Sequence, residues 1–284
     1  GQCGVPTPFD TSRTFKLYIK GADSADAARL EAAVSAAGLE YERVNRIAKR
    51  DFKGAFIFIN IFPESMEFDE GYAIWTDPNG VSITAKTPAG AYYALQSIRQ
   101  MVEAGDWKTG LVVDYPRFEY RGALIDISRH FRSVDFLKRQ IDMMARLKMN
   151  RLHLHLTDAA GWRLEIESYP RLTSYAAWRT PHDWKGWWYG NRGHVEEGTP
   201  GACGGYLTKE EARELVAYAA DRYITIIPEI EMPGHSDEVL EAYPELRCTQ
   251  QPERQGDLCI GKEATFEMMQ TILDEVIEIF PSKY

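Results

Sequence analysis

The sequence carries no excess of positive charge. Its 33 Lys and Arg stand against 42 Asp and Glu, a formal net charge of −9. That balance argues against a nucleic-acid-binding surface, because neutralising phosphates needs a basic face. It gives no attraction to anionic membranes either. Long apolar runs are also missing. None approaches the roughly 18 residues of a membrane-spanning helix. The longest, such as Tyr223 to Pro228, are strand-sized. Cysteine is scarce, with only Cys3, Cys203, Cys248 and Cys259 in 284 residues. Such usage neither demands nor excludes an oxidising compartment. Cys248 and Cys259 bracket a short polar loop and could pair. Cys3, so near the first residue, is a candidate lipid-attachment site of an exported protein.

Core-forming material is plentiful. The apolar fraction is 44% and the charged fraction 26%, ordinary for a globular chain. The length suits one large domain or two medium ones.

Residues 1–115 read as a small α+β domain. Thr14 to Lys20 alternates Phe15, Leu17 and Ile19 against Lys16, Tyr18 and Lys20, the period of a strand. Ala25 to Ala37 is alanine-rich and helical, with Asp23 or Ser24 as its cap and Gly38 after its end. Ala55 to Asn60 is a short apolar strand. Two further strands flank Pro78-Asn79-Gly80, a hairpin signal. Thr87-Pro88 then opens a helix that ends near Ala104. Asp106 to Arg117 reads as a linker.

From Pro116 the grammar changes to β-α-β-α-β-α. Ala123 to Ile127, Arg151 to Leu156 and Ile224 to Glu229 are strands. Ser133 caps a helix with Phe136, Leu137, Ile141, Met144 and Leu147 on one face. Thr208 and Glu211 form a capping box. Phe266, Met269, Ile272, Leu273, Val276, Ile277 and Phe280 mark one face of a last helix. Such alternation predicts a parallel sheet with covering helices, either doubly wound or a (β/α)8 barrel. No Gly-rich loop follows the first of these strands, where Ser128-Arg129-His130 stands instead. That lowers the dinucleotide-binding reading.

Each of the three strands ends in polar residues. The first ends in Asp126-Ile-Ser-Arg-His130, the second in Thr157-Asp158, and the third leads to Pro228-Glu-Ile-Glu-Met-Pro-Gly-His235. In a barrel these ends carry the chemistry, so Arg129, Asp158, Glu231 and His235 are the candidate site residues. Arg129 is either a rim ion pair or a five-donor fork for vicinal hydroxyls or carboxylates. Asp158 either caps a loop or fixes the tautomer of a neighbouring imidazole. His235 follows the sharp Pro233-Gly234 turn, which aims it back at the strand ends. His153 and His155 share one strand face. They are two hydrogen-bonded interior histidines or a metal-binding pair in a hydrolase. A loop of some fifty residues after the second strand holds Trp178, Trp184, Trp187, Trp188 and Tyr189. Their rings stack on sugar faces or build the loop its own small core. A loop this long in a compact domain points to function.

Three stretches, R-G-A-L-I-D-I-S-R-H-F, K-M-N-R-L-H-L-H-L-T-D-A-A-G-W-R and I-I-P-E-I-E-M-P-G-H-S, resemble glycoside hydrolase family 20, the β-N-acetylhexosaminidases. Residues 71–100 resemble the small domain that precedes the barrel in that family. The similarity runs from about Phe15 to the last residue. It implies an α/β fold: a partial (β/α)8 TIM barrel of about three βα units in residues 116–284, preceded by the α+β domain. It implies exo-acting removal of terminal β-linked N-acetylglucosamine or N-acetylgalactosamine with retention. Catalysis in this family is substrate-assisted: the acetamido oxygen attacks the anomeric carbon while a Glu protonates the leaving oxygen. By position, Arg129 is similar to the arginine that holds the sugar hydroxyls. Asp158 and His235 resemble members of a relay to the catalytic acid. Glu231 matches a sugar-site acidic position that is often Asp. No metal or cofactor is implied. The expected partners are glycans with a terminal N-acetylhexosamine, and the expected location is extracytoplasmic.

The sequence departs from the family pattern at Leu154, usually Trp, and at Ala159, usually acidic. A larger departure is the missing G-G-D-E, the family's catalytic pair at the end of the fourth strand. F-P-S-K-Y, the last five residues, resembles what precedes that strand. The expectations are therefore an interrupted barrel, no hydrolysis by this chain alone, and strand edges covered by a missing C-terminal half or a second copy. A non-catalytic carbohydrate-binding or split-assembly component is the remaining alternative.

Overall fold

A computed structural model describes residues 5–46, 48, 51–180, 183–249 and 256–283. Cys3 and Tyr284, and the expectations attached to them, lie outside the described residues. The chain divides into two units, residues 1–119 with 145–148, and residues 120–144 with 149–284.

The first unit runs β1 (Phe15–Lys20), α1 (Ser24–Ala36), β2 (Tyr41–Arg43), β3 (Phe56–Ile61), β4 (Tyr72–Thr76), β5 (Gly80–Ala85), α2 (Pro88–Glu103) and β6 (Gly110–Asp114). Its six strands lie in the order β2-β1-β3-β5-β4-β6. The alternation in β1 is realised, with Phe15, Leu17 and Ile19 buried. The β4–β5 turn forms because the Asp77 carboxylate accepts the backbone N–H of Asn79 and of Gly80, a side-chain-closed turn. Glycine is needed at position 80, since a Cβ there would meet the Phe56 carbonyl oxygen at 2.3 Å. Thr87 caps α2 by accepting the Gly90 N–H at 3.2 Å, with Pro88 in the first turn. The helix then buries Ala91, Ala94, Leu95 and Ile98.

The expected linker of residues 106–117 is not a bare connection. It contains β6, which pairs antiparallel with β4, Val112 opposite Ile74. The strand escapes pattern reading because Leu111, Val112 and Val113 are all exposed, so no inward–outward alternation marks it.

The second unit holds β7 (Gly122–Asp126), α3 (Val134–Arg146) and β8 (Arg151–His155). The long loop follows with β9 (Thr157–Asp158), β10 (Gly161–Trp162), α4 (Arg171–Ser174), β11 (Trp178–Arg179), α5 (Trp184–Tyr189) and β12 (Cys203–Gly204). The unit continues with α6 (Lys209–Ala220), β13 (Thr225–Glu229), α7 (Asp237–Ala242) and α8 (Glu263–Ile279). Strands β7, β8 and β13 form one parallel sheet with β8 in the middle. The capping box of α6 is complete: Thr208 Oγ1 accepts the Glu211 N–H at 3.1 Å, and Glu211 accepts the Thr208 N–H at 2.9 Å. Cys248 and Cys259 form a disulfide.

Two helical faces differ from expectation. Leu147 lies beyond the last residue of α3 and is exposed, while Leu137, Ile141 and Met144 are buried. Helix α8 turns Thr265, Met268, Ile272, Val276 and Ile279 inward and leaves Phe266, Leu273 and Ile277 exposed. The helix carries two apolar stripes. Thr265 belongs to the packed one because its hydroxyl donates to the Cys259 carbonyl at 2.8 Å, a bond that hydropathy does not register.

Candidate active site

Parallel pairing brings the carboxyl ends of β7, β8 and β13 level. Asp126, His155 and Glu229 stand opposite one another across the three strands, and facing pairs in a sheet point to the same side. The chain then turns at the end of β7, where Asp126 Oδ1 accepts the N–H groups of Ser128 at 2.9 Å and Arg129 at 3.1 Å. That turn delivers Arg129. Its Nη1 donates to Asp126 Oδ2 at 2.6 Å and its Nη2 lies 2.7 Å from Asp158 Oδ2.

Asp158 is the hub. Its side chain is 3% exposed. Besides Arg129, its Oδ2 is 3.1 Å from His155 Nε2 and 3.0 Å from His235 Nδ1. Its Oδ1 accepts the Ala159 N–H at 2.8 Å. Burial works to raise the pKa of this carboxyl. The two histidine bonds and the Arg129 charge outweigh burial, so the pKa lies below the ordinary value. His235 arrives from the other side. It has a positive φ of 52° after the cis Met232–Pro233 bond, and its ring is 65% exposed. The Asp158 hydrogen bond holds its pKa above the ordinary histidine value.

His155 bridges the two acids. Its Nε2 meets Asp158 and its Nδ1 meets Glu229 Oε2. Burial works against its charge, but those two bonds prevail and push the pKa up to about 9. His153 Nε2 lies 2.8 Å from the same Glu229 oxygen. The two strand histidines thus converge on a shared carboxylate, the hydrogen-bonded alternative read from the sequence. The residues best placed to hold a cation are His155, Asp158 and Glu231, whose ligand atoms lie within 4.8 Å of one another. The Arg129 guanidinium already supplies positive charge there. Glu231 is positioned by its backbone N–H, which donates to Thr157 Oγ1 at 2.8 Å. Burial and then the Glu229 charge raise its carboxyl pKa.

Arg129, Asp158, Glu231 and His235 therefore gather at one end of the strands. Two partners join them that were not among the candidates, Asp126 and Glu229, together with Trp184 of the aromatic loop. The signals were present, since Asp126 precedes Arg129 by three residues and Glu229 precedes Glu231 by two. The Arg129 guanidinium lies over the Trp184 ring, 5.7 Å from its centroid, within cation–π range. Trp184 in turn packs on Trp187 and Trp188. Trp187 is fully buried against Ala159 and Ala160. The loop tryptophans accordingly build a small core, and Ala159 is part of the floor on which it rests.

Similarity to known proteins covers both units. The model of the family's catalytic domain, "Glycosyl hydrolase family 20, catalytic domain", matches residues 118–284. That of "Glycosyl hydrolase family 20, domain 2" matches residues 4–115. A beta-hexosaminidase of Porphyromonas gingivalis is 37% identical over 250 residues, 81% of this chain and 30% of its own length. One of Akkermansia muciniphila is 37% identical over 227 residues, 75% of this chain and 43% of its own length. The chain thus spans under half the length of these relatives. Among solved structures, the Streptomyces plicatus N-acetyl-beta-hexosaminidase in complex with Thio-NAglucal superposes with a TM-score of 0.75 at 31% identity, over 99% of this chain and 55% of that one. The Vibrio harveyi exo beta-N-acetylglucosaminidase in complex with N-acetylglucosamine gives 0.74 at 27% identity, over 97% and 43%. The parallel sheet of the second unit is accordingly part of a TIM-barrel-type α/β fold. With both of its units matched, the chain belongs to glycosyl hydrolase family 20.

Proposed function

We propose that the protein containing this chain is an exo-acting β-N-acetylhexosaminidase, and that this part supplies sugar recognition and a proton-relay segment. The observation that carries the reading is the meeting of Arg129, Asp158 and His235 around one carboxylate oxygen. Arg129 offers a rigid fork to vicinal sugar hydroxyls. Asp158 fixes the tautomer of His235, whose exposed ring passes that order on to an acid beyond it. Glu231, with its raised pKa, lines the same site. Relatives solved with N-acetylglucosamine or Thio-NAglucal support a terminal N-acetylhexosamine as the ligand. The sequence has no Gly-Gly-Asp-Glu, so these 284 residues alone bind the sugar without cleaving it. The exposed Phe266, Leu273 and Ile277 of α8 support cover by further barrel elements. An extracytoplasmic location accompanies the reading. The Cys248–Cys259 disulfide supports it, since such bonds persist in oxidising compartments.

The test is hydrolysis of the 4-nitrophenyl N-acetyl-β-glucosaminide and the plain β-glucoside by the full-length protein. Release from the first only, lost in Arg129→Ala, is the expected result. Equal release from both would remove the acetamido-dependent mechanism. Release by the isolated 284 residues would remove the assignment of catalysis to another segment.

A further inference from the structure

Arg129 has a second neighbourhood, away from its carboxylates. A cavity of about 460 Å³ opens beside it, lined by Arg132, Arg163 and Arg179 as well, with Trp178 and Cys203 in the wall. Four arginines line this space, and none of the described residues that line it is a carboxylate. In a chain of net charge −9 that concentration runs against the overall balance.

The walls are built around Arg163. Its side chain is 1% exposed. Its Nε and Nη2 donate to the Ser128 carbonyl at 3.1 and 2.7 Å, and its Nη1 donates to the carbonyls of Ala177 and Gly205. Those bonds satisfy its donors and tie the end of β7 to two stretches of the loop. Carbonyl dipoles do not cancel a full charge, however, and no carboxylate among the described residues lies within ion-pair distance of it. Burial, and after it the neighbouring Arg179 charge, brings its pKa down to about 9. Two cations held this close in a desolvated wall favour any anion that enters. Arg132 is the exposed member. It rests over the Phe136 ring at 5.4 Å, and it holds no carboxylate among the described residues. Its fork can close on a ligand that Arg163 and Arg179 attract. The Trp178 ring offers an apolar face, as a sugar-borne anion needs and a bare ion does not.

We infer that this cavity is a subsite for an anionic substituent, carboxylate or sulfate, carried on a saccharide. The saccharide half of the inference rests on the function proposed above; the anionic half rests on the cavity alone. The site would let the protein accept acidic glycans next to the sugar held at Arg129.

Cys203 gives a local readout, since it lines the same cavity and is not in a disulfide. The 284-residue chain is treated with iodoacetamide, and carboxamidomethylation of the Cys203 peptide is followed by mass spectrometry at constant ionic strength. The probes are glucuronate, glucose and inorganic sulfate. Saturating glucuronate should slow the reaction about fivefold, by occluding the cavity that Cys203 lines. Glucose should not, and Arg132→Ala should abolish the glucuronate effect. Equal protection by glucose, no protection by glucuronate, or protection by sulfate alone would each overturn the inference. N-Acetylglucosamine binding that depends on Arg129 and survives Arg132→Ala tests the proposed function separately. The two readings can therefore fail independently.

Discussion

Asp158 Oδ2 and His235 Nδ1 lie 3.0 Å apart although 77 residues separate them. The same oxygen lies 2.7 Å from the Arg129 guanidinium. One atom therefore couples the group that would hold the sugar to the imidazole that would pass a proton. Disturbing either partner changes the charge felt by the other.

Replacement of Asp158 by Asn should release both histidines. His155 titrates near pH 9 because bonds to Asp158 and Glu229 overcome its burial, and His235 is raised by Asp158 itself. In Asp158→Asn both imidazole titrations, followed by NMR, should move down toward the ordinary histidine value. Stability carries the same signature. A histidine with a raised pKa contributes fully below about pH 6.5. The contribution fades as pH rises through the folded value near 9. The urea midpoint of the wild-type chain should fall between those limits, and the fall should shrink in the variant.

Glu238 also lowers stability as pH rises, but by an added cost rather than by a lost contribution. Both of its carboxyl oxygens are buried without a hydrogen-bond partner, and burial raises its pKa well above the ordinary glutamate value. An acid with a raised folded pKa costs stability once pH exceeds its unfolded value. Glu238→Gln should therefore leave the unfolding free energy at pH 4 nearly unchanged. It should stabilise the chain at pH 7, by about 1 kcal/mol or more. An advantage that does not grow with pH would count against a buried titrating carboxyl.

Arg129→Lys keeps the charge but loses the fork. If the guanidinium reads vicinal hydroxyls, kcat/KM of the full-length protein on an N-acetyl-β-glucosaminide should fall about a hundredfold or more. The melting temperature should change little, because an ammonium still faces Asp158.

Trp187 is fully buried beneath Trp184 and Trp188. Trp187→Ala should cost about 3–5 kcal/mol in chemical denaturation. It should also lower sugar affinity, since Trp184 is the ring beneath Arg129. A drop in stability without any drop in affinity would separate the loop core from the site.

Local signals made much of this legible. The Asp77–Gly80 turn, the Thr87 cap and the Thr208–Glu211 box are each written within a few residues, and each appears where its chemistry requires. The gathering of Arg129, Asp158, Glu231 and His235 was legible for a different reason: parallel strands align their ends whatever lies between. What stayed hidden depended on distant partners. Strand β6 needs β4 to exist as a strand, and nothing within residues 110–114 announces that. The packed stripe of α8 was chosen by neighbours rather than by hydropathy. The link between His155 and Glu229 spans 74 residues and shows only once β8 and β13 are in register.

That register has one more consequence. Asp126, His155 and Glu229 meet only when β7, β8 and β13 pair in a single alignment. A slip of one residue on β8 would send His155 to the opposite face of the sheet. Asp126 and Glu229, on the flanking strands, would then lose the imidazole that stands between them. The polar residues that would handle a sugar thus also favour one strand alignment, because only that alignment sets His155 between Asp126 and Glu229.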